Sequence, residues 1–312
     1  MKRKVAVIGE CMLELADRGG GEARFGFGGD TLNTAVYLAR AGVGVDYVTD
    51  LGDDPYSQSM IAAWQAEGID TRFVGRRPGA LPGLYVIRTD ATGERRFFYW
   101  RQNAPVRRML DEDGPARLAE AFAQSALVYL SGITLSLFEG PRLDVLFAAL
   151  AEARSRGVRI AFVVNYSPAG LSGVAAAREA VASMLDRCDI ALPSFDDMQA
   201  LFGDATPEAT LDRLAAHGVD EQLVKEGGRG CVLRLGGGPV ERVPVPTVVV
   251  PVDTTAAGDS FNAAYLAARQ YGHAPREAAL SGHHLAALVV QHRGAIVPRG
   301  LMAPGDATMG KD

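Results

Sequence analysis

Cysteine is scarce in this chain: Cys11, Cys188 and Cys231 are the only three among 312 residues, and none stands in CxxC spacing. That excludes a disulfide framework and points to a reducing, cytoplasmic compartment. The five histidines, His217, His273, His283, His284 and His292, are not spaced as a ligand set, which argues against a zinc enzyme. Long apolar runs are missing too. No stretch could span a bilayer, and the run Val5 to Ile8 behind the N-terminal lysines is too short for a signal-peptide core. Nor is there an excess of positive charge: 32 Lys and Arg stand against 37 Asp and Glu, a formal net charge of -5. Nucleic acid and anionic membranes therefore have no electrostatic footing here, and a small-molecule partner is expected. The chain also lacks GxxxxGK[ST] and the HRD and DFG elements, so a Walker-type ATPase and a protein kinase are both set aside.

What is present is an ordinary globular balance, 48% hydrophobic and 22% charged, with length for one large α/β domain and an appendage. Val5 to Ile8 reads as a buried central strand. A glycine-dense connection follows, Gly19, Gly20, Gly21, Gly26, Gly28 and Gly29, ending at Asp30, which suits the N-cap of a helix with Leu32, Ala35, Val36 and Ala39 on one face. Strand VDYVTDLG and helix YSQSMIAAWQAEG continue the alternation of a parallel sheet. The pattern then breaks. LPGLYVIRTD and ERRFFYWR, joined by Ala91-Thr92-Gly93, predict a β-hairpin and hence a small β-sheet lid. Strand and helix alternate again through ALVYLSG, RIAFVVNY, DIALPS and EQLVKEGG. A hairpin-like region from Cys231 to Pro246 and two more helices complete the body. The expected organisation is one domain over residues 1–300, a lid built from about 10–28 and 71–107, and a loose tail at 301–312.

The most informative segment is PVDTTAAGDSFNAAYLAARQYG, where Thr254, Ala256, Ala257 and Gly258 lead straight into an amphipathic helix. A tight turn of small residues lets backbone N–H groups converge, and a helix N-terminus adds positive dipole character that favours a transferring phosphoryl group. Asp259 stands beside that turn. It can be a plain helix cap, or the carboxylate that accepts a proton from an attacking hydroxyl, and the anion turn next to it favours the second.

Through DTTAAGDSF and GFGGDTLNTA the sequence resembles the ribokinase-like (PfkB-type) carbohydrate kinases, and the likeness runs from about Val5 to Arg299. GECMLEL, LPGLY, FYWR, YLSGI and HRGAIVPR resemble the branch of that family that acts on 2-keto-3-deoxygluconate, a keto-sugar acid. The resemblance implies a three-layer α/β/α sandwich with a mostly parallel central sheet and a β lid, an ATP-dependent sugar kinase that uses Mg2+, and a homodimer through the lid. It also distributes roles. Asp259 becomes the catalytic base behind Ala256, Ala257 and Gly258. Gly28, Gly29, Asp30 and Asn33 bind sugar hydroxyls, and Tyr85, Tyr99 and Arg101 close from the lid, with Asn165 and Ser167 beside them. Lys225, Gly227, Gly230, Thr254 and Ser194 serve the nucleotide, Asp197 the metal ion, and His283 takes the place of an adenine-proximal asparagine.

Two departures from the family pattern stand out. Relatives carry Asp-x-Asn-Tyr-Arg-Pro where this chain reads Val163-Val164-Asn165-Tyr166-Ser167-Pro168, so an arginine for the acid end of the substrate is missing. Glu226 puts a negative charge beside Lys225 where an arginine is common. These departures keep two alternatives open: a kinase of another sugar or sugar acid, such as 2-ketogluconate, fructose or ribose, and a non-catalytic sugar or nucleotide sensor on the same fold.

Overall fold

The computed structural model describes residues 4–19, 21–89, 95–166 and 173–302. In chain order the elements are β1 (Lys4–Ile8), β2 (Met12–Gly19), β3 (Glu22–Gly28), α1 (Asp30–Arg40), β4 (Val45–Gly52), α2 (Pro55–Ala66), β5 (Val74–Arg77), β6 (Leu84–Thr89) and β7 (Arg95–Trp100). They continue with α3 (Gly114–Ala123), β8 (Ser125–Ser131), α4 (Gly132–Leu135), α5 (Pro141–Ser155), β9 (Arg159–Val163), α6 (Val174–Leu185), β10 (Ile190–Ala191), α7 (Phe195–Phe202) and α8 (Pro207–Ala216). The last are β11 (Glu221–Lys225), β12 (Cys231–Leu235), β13 (Glu241–Val243), α9 (Ala257–Gln270) and α10 (Pro275–Val290).

Nine strands form one sheet in the order β13-β12-β11-β10-β9-β8-β1-β4-β5, parallel except for β12 and β13. Alternation along its strands feeds two cores. Ala6, Ile8, Val128 and Leu130 point to the layer of α3, α5, α6, α7 and α8, while Val5, Val7, Leu127 and Tyr129 point to α1, α2, α9 and α10. The result is the α/β/α sandwich that the family resemblance implies, on the parallel sheet expected from the alternating pattern. A second, four-stranded sheet has the order β3-β2-β6-β7 and is the small lid. Glu14, Tyr85 and Tyr99 stand opposite one another across β2, β6 and β7.

Three local readings are corrected. The glycine-dense stretch before α1 is not one connection but the hairpin β2–β3, because Phe25, Phe27 and the small residues between them pair in register with Leu15 and Leu13. Residues 74–77 form β5, a parallel edge strand on β4 that VGRR, with no alternating apolar pattern, does not advertise. Asp30 is not the N-cap of α1: Gly29 is, in an extended conformation, and no side chain caps that helix. Gly29 packs so closely on the Glu10 carbonyl that any Cβ would collide with it. The Ala91-Thr92-Gly93 turn lies outside the described residues.

The chain leaves β1 for β4 and β5 on one side and later builds β8, β9, β10 and β11 on the other. That reversal puts a crevice at the C-terminal ends of β1 and β8, where open α/β sheets bind ligands. β11 and α9, which border the crevice, are locked together by Glu221. Its buried carboxylate accepts from Tyr265 Oη at 2.6 Å and from Arg269 Nε at 2.8 Å and Nη2 at 3.0 Å. No described helix is long and apolar enough to cross a membrane, and Cys11, Cys188 and Cys231 are buried and unpaired.

Candidate active site

Asp259 occupies the third position of α9, and Ala256, not Asp259, holds the N-cap place, with φ 60 and ψ 16. A non-glycine residue in the left-handed region is strained, and such strain collects where function fixes the backbone. The turn is also tied down by Asp253, whose carboxylate accepts from the N–H of Thr255 at 3.0 Å and of Gly294 at 2.7 Å. Because the cap reading fails, the Asp259 carboxylate is left for other work. It accepts from Asn33 Nδ2 at 2.9 Å, a bond that joins α9 to α1. Burial, and next the facing Asp30 carboxylate, push Asp259 up to about 7, while Asn33 and the Lys225 ammonium pull it down. A carboxyl so poised can take a proton near neutral pH and release it again.

Asp259 lines a cavity and is bonded on its other side to α1. The cavity, of about 650 Å3, has a lining that includes Asp259 and Asn165 and every residue that the family resemblance gives to the nucleotide and metal: Ser194, Asp197, Lys225, Gly227, Gly230, Thr254, Ala256, Ala257, Gly258 and His283. Lys225, at the end of β11, donates to Asn262 Oδ1 at 2.8 Å, and its Nζ lies beside Gly258 at the entrance of α9. Burial pushes this ammonium down to about 8 against the pull of Asp259 and Asp197. Ser194 caps α7 by accepting from the Asp197 N–H at 3.1 Å. Burial raises the Asp197 carboxyl, and the Ser194 hydroxyl and Lys225 do not offset it. Gly230, with φ 105, packs against the Val243 carbonyl in the turn that follows β11.

His283 contributes its ring to the cavity wall but keeps its polar edge in the protein. Its Nε2 lies 3.2 Å from the Val243 carbonyl, and the ring packs edge-on to Phe261 at 5.0 Å. Glu226 turns away from the cavity: its carboxylate meets Arg242 Nη1 at 2.6 Å and Arg229 Nε at 3.4 Å. The negative charge that the sequence places beside Lys225 is therefore spent on the outer face.

The residues expected to hold the sugar lie on the α1 side of Asp259. Asp30 accepts from Asn165 Nδ2 at 2.8 Å, and Asn165 itself takes φ 36. Tyr85 is buried, hydrogen-bonded through its hydroxyl to Glu14, and so close to Gly28 that only glycine fits there. Tyr99 is exposed and its ring centroid is 6.0 Å from that of Tyr85. Arg101 is not free: its Nη2 lies 2.5 Å from Oε2 of the buried Glu10. Apart from this ion pair, neither the Glu10 oxygens nor Arg101 Nε and Nη2 have a partner among the described residues. Ser167 lies outside the described residues.

Sequence reasoning passed over several participants. Asn262 is three residues beyond Asp259 and so on the same helical face, a spacing that could have revealed it. Tyr129 accepts from Asn262 Nδ2 at 3.1 Å, and its inward position on β8 follows from alternation. Glu10, an acid directly behind a buried strand end, carried a similar signal.

Comparison with known proteins agrees with this architecture. The family model for pfkB family carbohydrate kinases matches residues 2–299, and the chain belongs to that family. Among curated relatives, 2-dehydro-3-deoxygluconokinase of Escherichia coli strain K12 is 43% identical over 310 residues, covering 97% of this chain and 99% of the relative. The 2-dehydro-3-deoxygluconokinase of Haemophilus influenzae is 37% identical over 303 residues, covering 95% and 96%. Among solved structures, a candidate Ribokinase II from E. coli in complex with ATP and Mg2+ superposes with a TM-score of 0.82 at 24% identity, over 94% of each chain.

The protonation state of Asp259 yields a test. Because its pKa is raised in the fold, the protonated form is the one that folding favours. Stability is then lost as pH rises from the unfolded value through about 7. Asp259→Asn is expected to abolish turnover, to leave ATP binding within about threefold, and to melt higher than the wild type at pH 8 but not at pH 4. Residual activity near wild type, or equal melting at pH 8, contradicts the assignment.

Proposed function

We propose that this protein transfers the terminal phosphoryl group of ATP to the terminal hydroxyl of 2-keto-3-deoxygluconate (2-dehydro-3-deoxygluconate), giving the 6-phosphate ester and ADP. The observation that carries the reading is the position of Asp259, one face on the large cavity and a hydrogen bond to Asn33 on the other side. The names of relatives at 37–43% identity supply the substrate class.

Gly28, Gly29, Asp30, Asn33 and Asn165 are assigned to the sugar, with Tyr85, Tyr99 and Arg101 closing from the lid. Asp259 accepts the proton of the attacking hydroxyl as the new O–P bond forms and the bond to the leaving ADP oxygen breaks. The Lys225 ammonium and the α9 entrance face the charge that gathers on the phosphoryl oxygens. Closure of the small sheet keeps water from that phosphorus.

Mg2+ ordinarily binds one or two carboxylates together with nucleotide phosphates rather than a complete protein cage. Asp197, a cavity-lining carboxyl raised by burial, fits that demand, and Ser194 holds its helix entrance. When bound there, the ion supplies charge neutralisation at the phosphates.

We place the enzyme in the cytoplasm, in keeping with its free buried thiols. A homodimer through the lid is part of the same reading. β7 is an edge strand, and Phe98 and Trp100, 46% and 58% exposed, share the face opposite Tyr99. Sedimentation is expected to give a dimer that Phe98→Asp converts to monomer; a monomeric wild type removes this part.

A coupled ADP-release assay across keto-sugar acids, fructose, ribose and nucleosides tests the reaction. The keto-sugar acid is expected to exceed every neutral sugar by roughly tenfold or more in kcat/KM. Silence with all acids and turnover of a neutral sugar overturns the substrate. Ligand-induced thermal shift without ADP release from any compound overturns the enzyme.

A further inference from the structure

A substrate carboxylate needs a cation that is not already neutralised, and the crevice beside the lid offers few. Lys225 is on the nucleotide side, bonded to Asn262. Arg101 has the buried Glu10 carboxylate in contact at 2.5 Å. Beside this pair lies a residue with no role so far, Arg107, in the short 3-10 turn Pro105–Arg108. Val106 and Met109 on either side of it are buried in the core, which fixes where its side chain starts.

The Arg107 guanidinium reaches back across the ends of the central strands. Its Nε donates to the Arg101 carbonyl at 3.1 Å, and its Nη1 to the Ser136 carbonyl at 3.5 Å. Ser136 closes α4 behind β8, and Glu10 follows β1, so the group lies at the crevice where the strand order reverses. Two carbonyls orient this cation without cancelling it. Among the described residues Arg107 makes no ion pair, and its Nη2 makes no hydrogen bond. The charges that face it are Glu10, Arg101 and the exposed Glu139, the last screened by solvent. Glu10 is thus one carboxylate for two guanidinium groups, and beyond the Arg101 contact its oxygens, like Arg101 Nε, have no partner among the described residues. Buried polar atoms left in that state are completed by a bound ligand or by water.

We propose that Arg107 is a specificity-determining residue that, together with the Arg101–Glu10 pair, holds the carboxylate end of the substrate. Arg107 supplies the uncompensated positive charge and Arg101 one further donor, while Glu10 accepts from a hydroxyl near the acid group. This rests on the sugar-acid reading above. It also explains how an acid can be bound although position 167 carries a neutral serine.

The test compares the keto-sugar acid with its neutral carboxamide in steady-state assays of the wild type, Arg107→Gln and Arg107→Lys. A hydrogen bond to a charged group is worth about ten- to a hundredfold in affinity. Arg107→Gln is therefore expected to raise KM for the acid by roughly that factor, leaving KM for ATP and for the carboxamide in place. Arg107→Lys is expected to restore most of the loss. Should the glutamine variant fail to fold, Arg107→Met, which keeps the aliphatic volume, is read in the same way. An unchanged KM for the acid, or an equal rise for acid and carboxamide, overturns the role of Arg107 alone. A wild type that turns over only neutral sugars removes the substrate reading, and this inference with it.

Discussion

The hydrogen bond between Asn33 and Asp259 is the contact on which the rest of the site depends. It spans α1 and α9, two helices of one layer that arrive from opposite ends of the chain, and it holds a carboxyl raised to about 7 at the cavity wall. Everything around it works to keep that carboxyl available. Ala256 takes the strained N-cap position, so Asp259 is not consumed in capping, and Asp253 holds the turn instead. Thr34 reaches the Asp259 carbonyl and the Tyr129 hydroxyl, both at 3.3 Å, and Asn262 links Tyr129 to Lys225. The acid and the lysine are therefore placed by one continuous polar network within an apolar layer, where unpaired members would be costly.

The electrostatics divide the site by task. Near the α9 entrance the positive groups are a buried lysine and a helix end, suited to phosphate oxygens. Under the lid they are guanidinium groups held by backbone carbonyls and by Glu10, suited to a planar carboxylate. Glu226 illustrates the same economy from the other side. A negative group next to Lys225 in sequence is drawn off by Arg242 and Arg229, so it does not oppose the lysine inside the cavity.

Much of the fold was legible because period-2 and period-3.6 patterns alternate cleanly from Val5 onward, and a parallel sandwich follows from that alternation. The lid was legible at LPGLY and FFYWR, where alternation of helix and strand stops. What escaped was set by tertiary contact. Asp30 looks like a cap beside a glycine turn, yet Asn165, far along the chain, claims its carboxylate. β5 pairs at an edge, with only Val74 buried in the core, and has no alternating apolar signature. The nucleotide-side residues could be named because they cluster in short segments around turns. Asn262 and Tyr129 left only a positional signal, and Arg107 left none, since its importance arises only when distant strand ends meet.

The central claim is that a raised, cavity-facing carboxyl at Asp259 is the group that takes up the substrate proton. Its most direct test is a carbon-13 NMR titration of the side-chain carboxyl in the ligand-free protein, assigned with Asp259→Asn. The account predicts a midpoint near 7. A midpoint at the ordinary aspartate value of about 4 would contradict it.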